Sequence, residues 1–412
     1  MSDPSAPYFH LSEKTRRRLR HAPPGMLLFF LAIALMSVSQ GIVDSVYNNY
    51  LSDTFQISAT TRGQLEFPRE LPGLLTAVMT GAFFFIRETG LGGLAAGAVA
   101  LGLAGLALWS RRWWPMVAST LVWSVGAHLI MPVRDSVALG FAREGQAGRR
   151  LGQVGLASTF ATIGGFVVVY IGTRLLNSDY AAIFAVGGVV SALAVIAWLR
   201  MRTVGGQEDR PRLVIKRRYR LFYLLSLLFG ARKQVFITFA PWVLVRVFKQ
   251  KAYVFAQLST VGALLGLVFQ PLLGHLIDRW GERVILVGEA VMMAVVALVY
   301  GFAEHFIGQR LGRPGLALGL VMACFVLDQV LFAVGMARST YLAKILETPE
   351  DLTPSLSLAV SINHIVSMSL PTLGGYVWDK YGYPWVFIGA AVVALVNITV
   401  ASRIRTPQVP AV

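Results

Sequence analysis

Charged side chains interrupt several long apolar stretches of this 412-residue chain. Asp44, Lys233 and Asp328 each lie well inside such a stretch. A charge in the hydrocarbon part of a bilayer is costly, so ionisable residues at that depth mark a substrate or ion pathway. These three residues are therefore the first candidates for function, either as ligands for a solute or as groups that carry protons.

Asp44 is followed by Tyr47 and Asn48, which give this part of the helix a carboxylate and several hydrogen-bonding groups. Such a surface is compatible with a sugar, a peptide or a zwitterion. Lys233, beside Arg232, has the corresponding place in the second half of the chain, and an ammonium facing the Asp44 carboxylate would neutralise both. A proton or an anionic substrate could break that pair. The alternatives are a structural ion pair that locks the halves together, or a side chain that snorkels to the interface.

Asp328, followed by Gln329, has no basic residue near it in sequence, which makes it a candidate for a protonatable coupling group. The alternative is a permanent salt bridge from Asp328 to Arg134 or Arg232. Arg134 and Arg338 could clamp a carboxylate or a phosphate through paired guanidinium contacts. They could equally cap backbone carbonyls or join an ionic gate.

His128 could carry a proton because histidine titrates near neutrality, although a lone histidine on a helix is more often a hydrogen-bonded packing residue. Asn363 is a further candidate for lining a cavity. Glu66, Arg69 and Glu70 form a charged entrance to another apolar stretch, for which a gate or vestibule is favoured over a binding site.

These side chains must be positioned by helices that cross a membrane. Hydrophobic residues make up 55% of the chain and charged residues 14%, and the mean hydropathy is +0.62, which places the chain in the membrane class. Twelve apolar segments have the roughly 20-residue length that a bilayer requires. They are residues 26–50, 66–86, 90–109, 114–142, 151–174, 180–199, 220–246, 252–274, 283–304, 314–342, 355–378 and 383–402.

Basic residues are spread between these spans, so the net charge of +16 reports topology and not a nucleic-acid surface. With an even number of spans, both termini lie on one side, and most of the lysines and arginines between spans fall on that side. The positive-inside rule then predicts that both termini are cytoplasmic. Cys324 is the only cysteine, which excludes an intramolecular disulfide and a cysteine-based metal site.

The chain divides into two halves at a basic, glycine-containing stretch near its middle. TIGGFVVVY at 162–170 resembles TLGGYVWDK at 372–380, as expected of duplicated halves. Repeats of this kind place a solute site at their interface near the bilayer midplane. The predicted parts are a cytoplasmic arm at 1–25, a six-helix bundle at 26–199, a cytoplasmic linker at 200–219, a second bundle at 220–402 and a cytoplasmic tail at 403–412.

The segment between the eighth and ninth spans contains Gly274, Asp278, Arg279, Gly281 and Arg283. Their spacing resembles the cytoplasmic signature loop of the major facilitator superfamily. Gly281 permits a tight turn, and Asp278 could cap a helix or pair with a basic neighbour, so the loop is expected to act in gating. The resemblance implies an all-α polytopic fold with twelve transmembrane helices in two pseudo-symmetric six-helix bundles. It also implies a cavity lined by the first and fourth helices of each half.

Together these features predict a secondary active transporter that moves a small polar or anionic solute by alternating access, with proton coupling through Asp328 or Asp44. The alternatives are efflux of amphipathic drugs or metabolites, and a membrane sensor or scaffold that does not transport. The sequence has no evident nucleophile motif, metal-ligand spacing or nucleotide-binding domain, so neither an enzyme nor a cofactor is expected. The expected partners are the solute, protons and the lipid bilayer, without nucleic acid. We expect a monomer in a bacterial cytoplasmic (inner) membrane.

Overall fold

A computed structural model describes residues 25–76, 79, 86–142, 146–201, 216–348 and 351–405, and within these ranges the chain forms helices without strands. The α-helices are α1 (Met26–Phe55), α2 (Ala59–Gln64), α3 (Glu66–Leu74), α4 (Glu88–Leu108), α5 (Trp113–Gly140), α6 (Ala147–Tyr170), α7 (Tyr180–Arg200), α8 (Arg220–Arg246), α9 (Ala252–Phe302), α10 (Pro314–Leu331), α11 (Gly335–Ile345), α12 (Leu352–Tyr381) and α13 (Tyr383–Ala401). Short π-helical turns follow α6 and α9, at Ile171–Leu175 and Ala303–Arg310, and 3-10 turns lie at Arg217–Tyr219 and Phe332–Val334.

Ten helical segments of the described chain are long and apolar enough to cross a membrane. One of them, Ala252–Arg310, has 59 residues, and at about 1.5 Å per residue it is far longer than one crossing needs. The segment bends at Gly281, whose φ of 79° and ψ of 161° interrupt the helix, so it supplies the eighth and ninth predicted spans. The second predicted span, 66–86, is described as α3 to Leu74 and lies partly outside the described residues. The other predicted spans each have a matching helix.

Three predicted regions lie wholly or largely outside the described residues. They are the N-terminal arm at 1–25, the part of the linker from 202 to 215, and the tail after residue 405. The described part of the linker begins again at Lys216.

Local capping chemistry fixes where several crossings begin and end. Asp179 accepts a hydrogen bond from the Ala182 amide at 2.9 Å at the start of α7, and Ser58 accepts one from the Thr61 amide at 3.2 Å at the start of α2. Gly382 separates α12 from α13 with a φ of 95°, a backbone conformation that is readily available only to glycine.

Each half has its own apolar interior. In the first half, the rings of Phe29 and Trp198 meet edge to face with their centroids 5.9 Å apart. In the second half, Tyr300 and Phe387 stack with their centroids 5.0 Å apart. Aromatic pairs of this kind add to the free energy of burying the rings within each half.

The two halves meet at the end of the bundle away from Gly25 and Arg405, the first and last residues that the structure describes. We call this end the distal end. There α2 lies against α12. A methyl group on Gly63 would overlap the carbonyl oxygen of Pro371, and one on Gly375 would overlap the carbonyl oxygen of Ala59. The Asp379 carboxylate also accepts a hydrogen bond from the Ala59 amide at 3.1 Å. We call this contact between α2 and α12 the distal seal.

Further hydrogen bonds join the halves beside the distal seal. The Asn49 side-chain amide donates to the carbonyl oxygen of Gln250 at 2.8 Å. Arg246 donates to the Ser52 hydroxyl at 3.4 Å. Together with the distal seal, these bonds close the space between the halves at the distal end.

The end of the predicted linker is attached to the second half. Lys216 Nζ lies 2.6 Å from Asp351 Oδ2 and 3.0 Å from Glu347 Oε2. The Tyr219 hydroxyl donates to Asp351 at 2.5 Å and accepts a hydrogen bond from the Glu347 amide at 2.9 Å. The hydrogen bonds from Lys216 and Tyr219 hold the pKa of Asp351 below its ordinary value. Lys216 is therefore tied to the residues just before and at the start of α12.

Candidate functional site

Four charged side chains line one side of α2 and α3 and neutralise one another. Arg62 forms an ion pair with Glu66, and Arg69 Nη2 lies 2.5 Å from Glu66 Oε2 and 3.2 Å from Glu70 Oε1. The first two pairs have the spacing of four and three residues that lets helical side chains meet, whereas Arg69 and Glu70 are neighbours in sequence. Arg62 is 1% exposed and Glu66 is fully buried. We call Arg62, Glu66, Arg69 and Glu70 the charge network.

The charge network also joins the two halves. From α8, Gln234 Nε2 donates to Glu66 Oε2 at 2.9 Å. From α12, His364 Nδ1 lies 3.1 Å from Glu70 Oε2. Asn48, which the sequence predicts as a solute ligand, accepts a hydrogen bond from Arg62 Nε at 2.9 Å. The residues expected to form a gate or vestibule thus lie at the interface of the halves.

Two histidines from opposite halves lie beside the charge network. The ring centroids of His128, on α5, and His364, on α12, are 5.2 Å apart. A methyl group on Gly73 would overlap His364 and would lie 2.7 Å from His128 Cδ2, so the glycine leaves room for both rings. His128 Nδ1 is 2.9 Å from the carbonyl oxygen of Ser124, which fits an imidazole that carries its proton on Nδ1.

Glu70, His128 and His364 each offer a potential metal ligand, and their ligand atoms lie within 4.8 Å of one another. Carboxylate and imidazole are ligands that zinc and related ions accept. Arg69 already pairs with Glu70, however, and the charge of Lys233 also acts on Glu70. Since these two cations oppose a third positive charge, the arrangement does not favour a resident metal ion. The sequence prediction of no metal site stays a prediction.

A second group of charges lies inside the second half. Arg232 Nη2 is 3.2 Å from Glu289 Oε1 and 3.4 Å from Asp328 Oδ1. Of the two partners considered for Asp328, the structure therefore selects Arg232 and not Arg134. Arg134 instead pairs with its sequence neighbour Asp135 at 2.8 Å, and both side chains are more than a third exposed.

The expected ion pair between Asp44 and Lys233 is not formed. Asp44 accepts a hydrogen bond from Gln40 at 2.8 Å and is exposed, although it lies well inside α1. Lys233 is half-buried and has no carboxylate within 4.0 Å among the residues that the structure describes. Both residues lie beside the charge network, because Asn48, one turn beyond Asp44, accepts a hydrogen bond from Arg62, and Gln234, next to Lys233, donates one to Glu66.

Arg338 is a buried guanidinium without a carboxylate at ion-pair distance in the described part of the chain. Its Cζ lies 3.4 Å from the ring centroid of Phe229, and 8% of the residue is exposed. Its charge also acts on Lys233. The aromatic face supplies a cation–π contact but no counter-charge.

The other predicted ligands lie against neighbouring helices, and their role as ligands stays a prediction. The Tyr47 hydroxyl is 3.3 Å from the Thr120 hydroxyl, and the residue is buried. Gln329 packs against Gly262, and Asn363 packs against Gly230. Gln329 and Asn363 therefore contact neighbouring helices of their own half.

The signature loop has the predicted turn but a different ion pair. Gly281 adopts a positive φ, whereas Asp278, Arg279 and Arg283 are exposed. Gly274 lies within α9, where an added methyl group would meet no atom within 4 Å. The buried carboxylate beside the turn is Glu282, whose Oε1 lies 2.7 Å from Lys344 Nζ on α11. Sequence reasoning missed Glu282 because its partner is distant in the chain.

Comparisons with known proteins agree with this architecture. The family model described as Major Facilitator Superfamily matches residues 29–355 and 222–411. No curated protein matches the sequence significantly.

Three solved structures illustrate the likeness. A variant of the nucleoside transporter NupG is 13% identical, with a TM-score of 0.75 over 91% of this chain and 98% of that chain. The D-xylose-proton symporter is 15% identical, with a TM-score of 0.69 over 93% and 97%. A bacterial homologue of the human lysosomal transporter Spinster, in an inward-facing and occupied conformation, is 14% identical, with a TM-score of 0.69 over 97% and 100%. At these identities the likeness establishes the fold alone.

Proposed function

The chain belongs to the major facilitator superfamily, and on that premise we propose that this membrane transporter is a secondary active carrier of a small polar or anionic solute. It works by alternating access, in which the two bundles rock around a site at their interface. Both termini are cytoplasmic and the protein acts as a monomer in a bacterial inner membrane.

One observation carries the proposal. The contact between Glu70 and His364 joins the halves beneath a closed distal end, while Asp44 remains exposed inside the bundle. A solute that enters from the side of the termini therefore meets charged groups at mid-depth and a barrier beyond them. With cytoplasmic termini, this arrangement is an inward-facing state.

Proton coupling is better assigned to the contact between Glu70 and His364 than to Asp328. Asp328 is held by Arg232 within one half, so a change in its charge acts on that half alone. Glu70 and His364 belong to different halves, and a change in charge on either one alters the attraction between the bundles. Asp44, which has only a neutral hydrogen-bond partner, is the second candidate.

Uptake into proteoliposomes tests the proposal. The purified protein is reconstituted, and uptake of labelled amino acids, carboxylates, organophosphates, nucleosides and sugars is measured with and without an imposed proton gradient. We expect one solute class to accumulate in response to the gradient. Glu70→Gln should lose gradient-driven accumulation but keep exchange of labelled for unlabelled solute. Arg134→Gln, which changes a partly exposed ion pair within the first half, is the matched control.

A solute that binds the protein but shows neither uptake nor exchange would contradict the proposal. That result would favour the non-transporting sensor or scaffold.

A second candidate function is efflux of amphipathic drugs or metabolites. An apolar groove with a volume of about 550 Å³ lies between α9 and α10. It is lined on α9 by Val261, Leu265, Val268 and Leu272, all of them exposed. A surface of this kind suits an apolar tail. Increased resistance of expressing cells to several unrelated amphipathic drugs would support this function over the first.

A further inference from the structure

The buried charges of the two halves do not balance in the same way. In the first half, the two arginines of the charge network are matched by its two glutamates. Asp44 is then left over, with a neutral partner in Gln40. Within this group of residues, Asp44 is therefore the carboxylate of the first half without a cation at ion-pair distance.

In the second half the excess charge is positive. Glu289 and Asp328 both pair with Arg232, so three cations, Arg232, Lys233 and Arg338, stand against two carboxylates. Lys233 and Arg338 have no carboxylate at ion-pair distance within the described ranges. The second half therefore presents one uncompensated positive charge.

Asp44 and Lys233 both lie beside the charge network. Asn48, one helical turn beyond Asp44 on α1, accepts a hydrogen bond from Arg62, and Gln234, next to Lys233 on α8, donates one to Glu66. Asp44 and Lys233 nevertheless do not form an ion pair with each other. Two opposite charges that have no ion-pair partner inside the spans are stabilised by a molecule that brings a counter-charge to each.

From this arrangement we infer that the site binds a zwitterion, with its anionic group against Lys233 and its cationic group against Asp44. The inference rests on the proposed function and names its substrate class. A neutral sugar would leave both charges uncompensated. A simple carboxylate would be repelled by Asp44, and a simple amine would be repelled by Lys233. These two residues therefore discriminate against both kinds of ligand.

Direct binding to the purified full-length protein tests the inference. The probes are ω-amino acids from glycine to 6-aminohexanoate, each compared with the carboxylate and the amine of the same chain length, and with xylose. Calorimetry or a thermal-shift titration gives the affinities. We expect at least one amino acid to bind at least about tenfold more tightly than its carboxylate and amine counterparts, since each unpaired charge in the site weakens binding.

Variants identify whether Asp44 binds the cationic group of the amino acid and whether Lys233 binds its anionic group. Asp44→Asn should remove the preference for the amino acid over the carboxylate, and Lys233→Gln should remove the preference over the amine. Asp44→Glu and Lys233→Arg keep the charges and should retain both preferences, which separates recognition from loss of folding. Arg134→Gln should change neither preference.

The inference is overturned if no amino acid of the series binds at millimolar concentration, or if carboxylates, amines or xylose bind as tightly as the amino acids. It is also overturned if both preferences survive in Asp44→Asn and Lys233→Gln. Uptake of another solute class would leave the transporter function standing without a zwitterion site. Selective amino acid binding without any flux would support the site and contradict transport.

Discussion

A methyl group on Gly63 would overlap the carbonyl oxygen of Pro371. These two residues belong to different halves, so the halves touch backbone to backbone at the distal seal. Backbone atoms cannot swing away as a side chain can, which makes this contact an all-or-none feature of the closed distal end.

We therefore predict that Gly63→Ala disfavours the closed distal end. Overpacking of a tight contact costs about 1–3 kcal/mol, and here the cost arises only when α2 and α12 touch. Spin labels on Arg111→Cys and Arg313→Cys, in a Cys324→Ser background, report the distance across the distal end. That distance should shift towards longer values in Gly63→Ala.

Gly266→Ala is the matched control, because an added methyl group there would meet no atom within 4 Å. An unchanged distance distribution in Gly63→Ala would show that the backbone contact does not hold the seal.

Glu66→Gln should be strongly destabilising. The Glu66 carboxylate is fully buried, forms ion pairs with Arg62 and Arg69, and accepts a hydrogen bond from Gln234. Removing one member of a buried charge group leaves uncompensated charge and costs about 3–5 kcal/mol. Thermal unfolding in detergent measures the change. Asp278→Asn, at an exposed site, should leave the melting temperature nearly unchanged, and equal effects of the two variants would contradict the role of Glu66.

Lys344 and Glu282 should also be energetically coupled, but this pair should contribute less to stability than the contacts of Glu66. Glu282 is fully buried, whereas the Lys344 side chain is 39% exposed, so solvent screens the pair. A double-mutant cycle with Lys344→Ala and Glu282→Gln should give a coupling energy of about 1 kcal/mol. Additive effects of the two substitutions would show that the loop between the eighth and ninth spans is held by the turn at Gly281 alone.

The attachment of the linker should weaken in acid. Because hydrogen bonds from Lys216 and Tyr219 lower the pKa of Asp351 in the folded protein, its contribution to stability is present above the unfolded pKa of about 3.9 and is lost as pH falls through the folded pKa. Asp351→Asn should therefore melt at a lower temperature than the parent at neutral pH. The difference should shrink below about pH 4.

Melting temperatures between about pH 3 and pH 7 check the sign of this effect. A difference that grows as the pH falls would contradict the assignment.

The spans were predictable because the length and apolar composition of a segment indicate a membrane crossing without knowledge of its neighbours. The turn at Gly281 was predictable for a similar reason, since it depends on local backbone freedom. At Gly281 itself the backbone leaves the helical conformation, so the eighth and ninth spans are two helices that meet at the turn.

The partners of the buried charged residues were harder to predict from the sequence. Glu70 and His364 meet although they are 294 residues apart, and no local spacing signals such a contact. Pseudo-symmetry suggested that Asp44 pairs with Lys233. The distance between equivalent residues, however, depends on how the two halves are oriented in a given conformation, which the sequence does not indicate. Asp328 was resolved by geometry alone, because Arg134 and Arg232 were equivalent candidates in sequence.

The attachment of Lys216 and Tyr219 to Asp351 has a mechanical consequence. It leaves residues 202–215 as the connection between the halves. Cutting the chain within this segment would sever no hydrogen bond or ion pair among the described residues. Two separately synthesised polypeptides, divided there, should therefore find each other and assemble through the interface alone.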